Sequence, residues 1–141
     1  LSSSSAASDV YKRQYFQNVP GVGVLATANK DGEVDAAIFS TPHILEDEQI
    51  AFIMRDRLTH KNLQSNPFAI YLFMENGGYF KGTRLFLKKV REDADPKLIE
   101  SMSRRSLPPD EDKARGPKFV VFFEITKTLP LIGTGKEHIT T

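Results

Sequence analysis

From Val22 to Ala28 the chain reads VGVLATA, an apolar run of β-branched and small residues, and Asn29-Lys30-Asp31-Gly32 follows with the side chains of a tight reversal. This pattern predicts a buried strand entering a hairpin. The second arm, Val34 to Thr41, stops at Pro42, which has no N–H to give to a ladder. A third strand is expected over Gln49 to Met54, after the acidic turn Glu46-Asp47-Glu48. In the polar segment Arg55 to Asn66, Leu58 and Leu63 are the apolar anchors and Pro67 forces the chain out of helical geometry, so a two-turn helix is predicted. Phe68 to Met74 (FAIYLFM) is apolar at every position, as in a strand with core on one face and a cover on the other. After Gly77-Gly78, Tyr79 to Val90 alternates apolar and basic residues, predicting a long half-exposed strand bulged at Gly82.

Asp95 is a good N-cap, Pro96 suits a first helical position, and Leu98, Ile99 and Met102 share one helical face. A second helix is therefore expected over about Pro96 to Ser106, then loop from Leu107 to Pro117, then a strand over Lys118 to Lys127 (KFVVFFEITK). Six strands and two short helices at irregular spacing are too rich in strand for a doubly wound sheet. The expected class is mainly β (α+β): an antiparallel barrel that closes its own edges, with two short helices.

A length of 141 residues fits one domain, assigned to residues 15–141. Residues 1–14 (LSSSSAASDVYKRQ) lack the basic and apolar regions of a secretory signal and resemble translated adapter sequence; they are expected to be loose unless a neighbour ties them down. A net charge of +1 gives no field for holding nucleic acid, and no apolar run reaches membrane-spanning length, so neither partner is expected. The chain has no cysteine, which removes disulfides and thiolate chemistry and suits a reducing cytoplasm.

Signatures of triad hydrolases, P-loop enzymes, Rossmann dehydrogenases and zinc proteases are missing. His43, His60 and His138 lack ligand spacing, so no metal site is expected, and no catalytic residue is assigned. What stands out is Arg55, Arg57, Thr59, His60, Lys61 and Asn62 at the junction of a strand and a short helix. Hydroxyl, amide and cationic donors beside the positive end of a helix suit a phosphate dianion. On residue types alone, the same cluster reads equally well as a solvated helix face.

The order of these parts narrows the choice. A hairpin with a Lys-Asp-Gly turn, a strand, then Arg57-Leu58-Thr59-His60-Lys61-Asn62-Leu63-Gln64-Ser65-Asn66-Pro67 leading into an apolar strand resembles the FMN-binding split barrels of the pyridoxamine 5′-phosphate oxidase-like superfamily. The resemblance spans about Val19 to Val90 and, less specifically, Phe119 to Ile125. It implies flavin mononucleotide (FMN) as cofactor and a homodimer. The phosphate would fall to Arg57, Thr59, His60, Lys61 and Asn62, with Arg55 reaching ribityl or phosphate; Ile38, Phe39, Ser40 and Thr41 would lie along the isoalloxazine; Lys81 and Arg84 would approach the flavin across the dimer. The chain departs from true pyridoxamine phosphate oxidases: it has no Trp, its second hairpin arm carries no Arg, and it runs Leu129-Pro130-Leu131-Ile132-Gly133-Thr134-Gly135 where they end in Arg-Leu-x-Pro. Oxidation of vitamin B6 is therefore not expected. The resemblance implies an FMN-dependent oxidoreductase with a small-molecule electron donor or acceptor. A non-catalytic flavin or electron carrier, and a related barrel using the deazaflavin F420 or haem, are the alternatives.

Overall fold

Asn29 makes the first reversal: its Oδ1 accepts the N–H groups of Asp31 at 2.9 Å and Glu33 at 3.0 Å, and Gly32 takes φ +83°. Strand β1 (Gly21–Ala28) thereby returns as β2 (Val34–Ile38), paired from Val24↔Ile38 to Ala28↔Val34. The computed structural model describes residues 2–104 and 107–134. Five further strands follow: β3 (His43–Ile44), β4 (Gln49–Arg55), β5 (Phe68–Glu75), β6 (Gly82–Asp93) and β7 (Lys118–Leu129). They form one antiparallel sheet in the order β2-β1-β5-β6-β7-β4-β3. Its two edge strands, β2 and β3, are consecutive in the chain, and a single cluster including Leu25, Phe52, Tyr71, Phe73, Leu85 and Phe123 fills the space inside. The sheet therefore curls around one core as an antiparallel barrel, as expected.

Several boundaries differ from the sequence expectation. Strand β3 is an additional element, too short to leave a period-2 pattern. Gly82 pairs regularly with Met74; the irregularities lie between Phe86 and Leu87 and between Lys89 and Arg91, where two 12-residue strands must bend around the core. After the second, the Arg91 guanidinium sits 3.6 Å from the centre of the Phe122 ring. Helix α2 (Leu58–Ser65) forms as expected. Helix α3 (Pro96–Met102) is capped by Asp95, whose side chain accepts the Lys97 N–H, but it ends at Met102 because Ser103 is extended. Arg105 and Ser106, the latter the expected helix end, lie outside the described residues. A further short helix, α4 (Pro109–Ala114), occupies the segment expected to be loop.

The N-terminal segment is also different. Residues of the stretch expected to be loose belong to helix α1 (Ser2–Asn18), which crosses the expected domain boundary at residue 15. Phe16 enters the core, the Tyr15 hydroxyl donates to Glu75 Oε2 at 2.6 Å, and Asp9 Oδ2 accepts the Asp47 N–H at 3.0 Å. With Lys12 Nζ donating to Glu48 Oε2 at 2.6 Å and Arg13 Nη2 to Ile44 O at 3.2 Å, the Asp9 contact ties down the stretch expected to be loose, which the bare composition did not reveal.

Candidate functional site

Strand β4 ends at Arg55, and Asp56-Arg57 turn the chain into α2. Leu58, expected to anchor this helix, is 54 % exposed; the buried face is Thr59, His60, Asn62 and Leu63. The His60 ring stacks on Phe119 at 4.0 Å between centres and 9° between planes. Its Nδ1 lies 3.0 Å from Asp56 Oδ1 and its Nε2 3.0 Å from Glu92 Oε2. Asn62 donates to Thr27 Oγ1 at 3.1 Å, tying the helix to β1. Burial alone would raise the Glu92 carboxyl, but hydrogen bonds from Gln64, Lys89 and His60 outweigh it and hold the group down at about 2.

With one face of α2 fixed inward, Arg57 and Lys61 point to solvent, and among the described residues neither side chain has a hydrogen-bond or ion-pair partner. Arg57 occupies the N-cap position of the helix, and its side chain makes no capping bond. Arg57 and Lys61 line, with Asp56, Leu58, His60 and Gln64, a hollow of about 560 Å³. This is an arrangement suited to an anion.

Directly beside it in the chain, Arg55 lines a larger cleft of about 1160 Å³, walled by β4, the segment after β2, α3 and α4. Phe52, Met54 and Ile99 supply apolar surface to it. Ser40 and Thr41 run along one side, and their carbonyls are occupied: Tyr71 Oη donates to Ser40 O at 3.2 Å, and Arg104 Nη1 donates to Thr41 O at 2.5 Å. Burial, assisted by the Arg104 charge, pulls His43 down to about 4, so the imidazole lining this cleft is neutral at pH 7. Arg55 reaches α4 through Asp112 Oδ1 at 2.7 Å and the carbonyls of Asp112 at 3.1 Å and Gly116 at 2.8 Å. Five basic side chains line the cleft (Arg55, Arg104, Lys113, Arg115, Lys118) against the two carboxylates of Glu100 and Asp112, an excess that draws anions to it.

The residues proposed from sequence fall into four groups. Ser40, Thr41 and Arg55 meet in the large cleft, while Arg57, His60 and Lys61 line the smaller hollow. Thr59 and Asn62 face inward from the same helix, and Phe39 is packed edge-on against Phe52 at 5.8 Å. Ile38, Lys81 and Arg84 lie elsewhere. Ile38 is 73 % exposed on the outer face of the sheet, where the pairings Ile38↔Val24↔Leu72↔Arg84 also put Arg84. Arg84 Nε donates to Pro130 O at 2.8 Å, and its Nη2 donates to Gly133 O. Lys81 is exposed in the β5–β6 connection. Sequence reasoning missed His43, Arg104, Asp112 and Lys118 in the cleft, because their meeting depends on strand pairing and on loops that no local pattern describes. Among the described residues no group of three His, Asp or Glu side chains is arranged to hold a metal, and no helix is long and apolar enough to cross a membrane. His138 lies outside the described residues.

No protein-family model matches the sequence, and no curated protein matches it either. Solved structures do resemble the fold. An FMN-binding protein from Syntrophomonas wolfei superposes with a TM-score of 0.70 at 19% identity, covering 92% of this chain and 90% of its own. A protein called F420 reductase gives 0.61 at 18% identity, with 82% and 94% covered. A Lactobacillus delbrueckii protein assigned provisionally as a pyridoxamine 5′-phosphate oxidase gives 0.62 at 12% identity, with 84% and 90% covered. At these identities the likeness establishes the fold: this chain is built as a pyridoxamine 5′-phosphate oxidase-like split barrel.

Proposed function

We propose that this split barrel binds FMN and works as an FMN-dependent oxidoreductase with a small-molecule electron donor or acceptor. The observation that carries the reading is the pair of cations Arg57 and Lys61, without a partner among the described residues, at a helix terminus whose N-cap side chain makes no capping bond, next in the chain to a strand end that lines a cleft large enough for a planar aromatic ring system. In this reading Arg57, Lys61 and the first-turn N–H groups of α2 hold the phosphate. Thr59, His60 and Asn62 fix the helix face behind them, and Ser40 and Thr41 border the ring. When bound, the flavin supplies the hydride and single-electron chemistry; the protein orients it and limits water around it. The cysteine-free composition is compatible with work in a reducing cytoplasm.

The discriminating experiment is equilibrium binding of FMN against riboflavin. FMN should bind at least about tenfold more tightly, since one hydrogen bond to a charged group contributes about 1.5–3 kcal/mol. Equal affinities would remove the phosphate from this site. The absorption spectrum of the purified protein separates FMN from F420, a second reading supported by the cationic excess of the cleft and by the resemblance to a protein named F420 reductase.

The working unit in this proposal is a homodimer. Strand pairing puts Val22, Val24, Ile38, Ile70, Leu72 and Met74 on the outer face of β2-β1-β5, where Val22, Ile38 and Met74 are exposed. A continuous apolar face of this kind on a small barrel favours a self-complementary two-fold contact. Light scattering at micromolar concentration should give twice the chain mass, and Leu72→Glu should shift it towards the monomer. A monomeric wild-type protein would rule the assembly out.

A further inference from the structure

Arg55 bears on the site in a way the sequence did not suggest. It lines the cleft two residues before Arg57, yet its guanidinium is held by α4, with Nη2 on Asp112 Oδ1 at 2.7 Å. Lys118, the next cation along the same wall, lies 3.1 Å from that oxygen. These two hydrogen bonds, the Arg55 one being the stronger, hold the Asp112 carboxyl below the usual carboxylate range. One carboxylate oxygen therefore serves two cations of an otherwise cation-rich cleft. The element that carries it is weakly attached, because α4 has no buried residue. Its segment is joined to β4 through Arg55, which also donates to the Asp112 and Gly116 carbonyls, and to the start of β7 through Lys118. Asp112 and its partners are partly exposed, at 36% for Asp112 against 18% for Arg55 and 25% for Lys118, so water and salt weaken the attachment.

We propose that α4 is an autoinhibitory strap whose Asp112 carboxylate stands in for the anionic group of a ligand. A phosphate of a substrate bound beside the proposed flavin competes with Asp112 for Arg55 and Lys118, and its binding releases the strap. A phosphate offers Arg55 and Lys118 three charged acceptor oxygens, where the strap offers one carboxylate oxygen and two neutral carbonyls, so the exchange favours the ligand. The inference deepens the flavin reading above and rests on it for the identity of the ligand, while the latch itself stands on this chain's own contacts.

The strap contains two trypsin sites, Lys113 and Arg115, which report its release. Limited trypsin digestion of ligand-free protein should cut there a few-fold faster in Asp112→Asn than in wild type. Asp110→Asn, which removes the same charge from an exposed position on α4, should digest like wild type. Adding inorganic pyrophosphate should accelerate cleavage of wild type towards the Asp112→Asn rate, the reverse of ordinary ligand protection. Asp112→Asn should also bind the anion more tightly than Asp110→Asn does. Equal digestion of the two variants overturns the latch, and unchanged or slower cleavage of wild type in pyrophosphate overturns the competition. If FMN binds to none of the proteins, the flavin reading fails separately, and the pyrophosphate digestion still decides the strap.

Discussion

Replacing Arg57 and Lys61 together by alanine is expected to weaken FMN binding by about 3 kcal/mol or more, at least ~100-fold, while leaving the ligand-free protein nearly as stable as wild type. Both halves follow from the way α2 is seated. Its inward face is fixed by Leu63, by His60 against Phe119 and by Asn62 on Thr27, so the helix does not depend on its outward cations. Arg57 and Lys61 are exposed and have no partner among the described residues, and exposed positions of that kind typically change stability by about 0.5 kcal/mol at most. Their removal takes two charge-assisted donors from an anion that the helix terminus alone would hold weakly. The measurement is the rise in melting temperature caused by saturating FMN, which mass action makes large for wild type and small for the double variant. Equal rises in the two proteins would place the phosphate elsewhere. Thr59 is the less informative position to change, because it is buried at 4 % exposure and its loss disturbs packing as well as any ligand contact.

Phe123→Ala is expected to cost about 3–5 kcal/mol of folding stability, a large share of the roughly 5–15 kcal/mol that holds a domain of this size together. Phe123 is completely buried in β7, paired with Ile50 of β4 on one side and Lys89 of β6 on the other. Its ring meets Phe52 edge-on at 6.0 Å, inside the cluster that also holds Tyr71, Phe73 and Leu87. Removing it leaves a cavity between strands that are bonded on both sides and cannot collapse freely to fill it. Urea denaturation should show the full loss. Phe86→Ala on the outer face, where the ring is half-buried under Lys127, should lose much less. A loss below about 1 kcal/mol for Phe123→Ala would mean that this residue is not central to the core.

The inward and outward sides of β5 show how far local pattern reaches. FAIYLFM is apolar throughout, so the sequence predicts a strand covered on both faces, but it does not say which residues face the barrel interior. Pairing settles that: Ala69, Tyr71 and Phe73 turn inward, and Ile70, Leu72 and Met74 turn outward. The same holds for α2. A short helix between two strands is legible from Pro67 and the polar run, whereas the orientation of its faces is not. The helix is too short for periodicity to decide, and what buries His60 is Phe119, 59 positions away in the chain.

By itself the sequence determined those features that depend on neighbours in the chain: the Asn29 hairpin, the extended runs, the Asp95-capped helix, and the cationic, hydroxyl-bearing turn around Arg57 to Lys61. Backbone propensity, capping and side-chain alternation act over a few residues, so they leave a readable trace. Tertiary structure alone decided that Arg55 turns to Asp112, that Arg104 closes on the carbonyls of Thr41 and Pro42, and that Arg84 lies across the sheet from Ile38. Each of those outcomes joins residues about 45 to 65 positions apart through the closure of an antiparallel sheet. The choice among several available acceptors is then made by strand register and by the burial around each cation, neither of which is written in any local stretch of the chain.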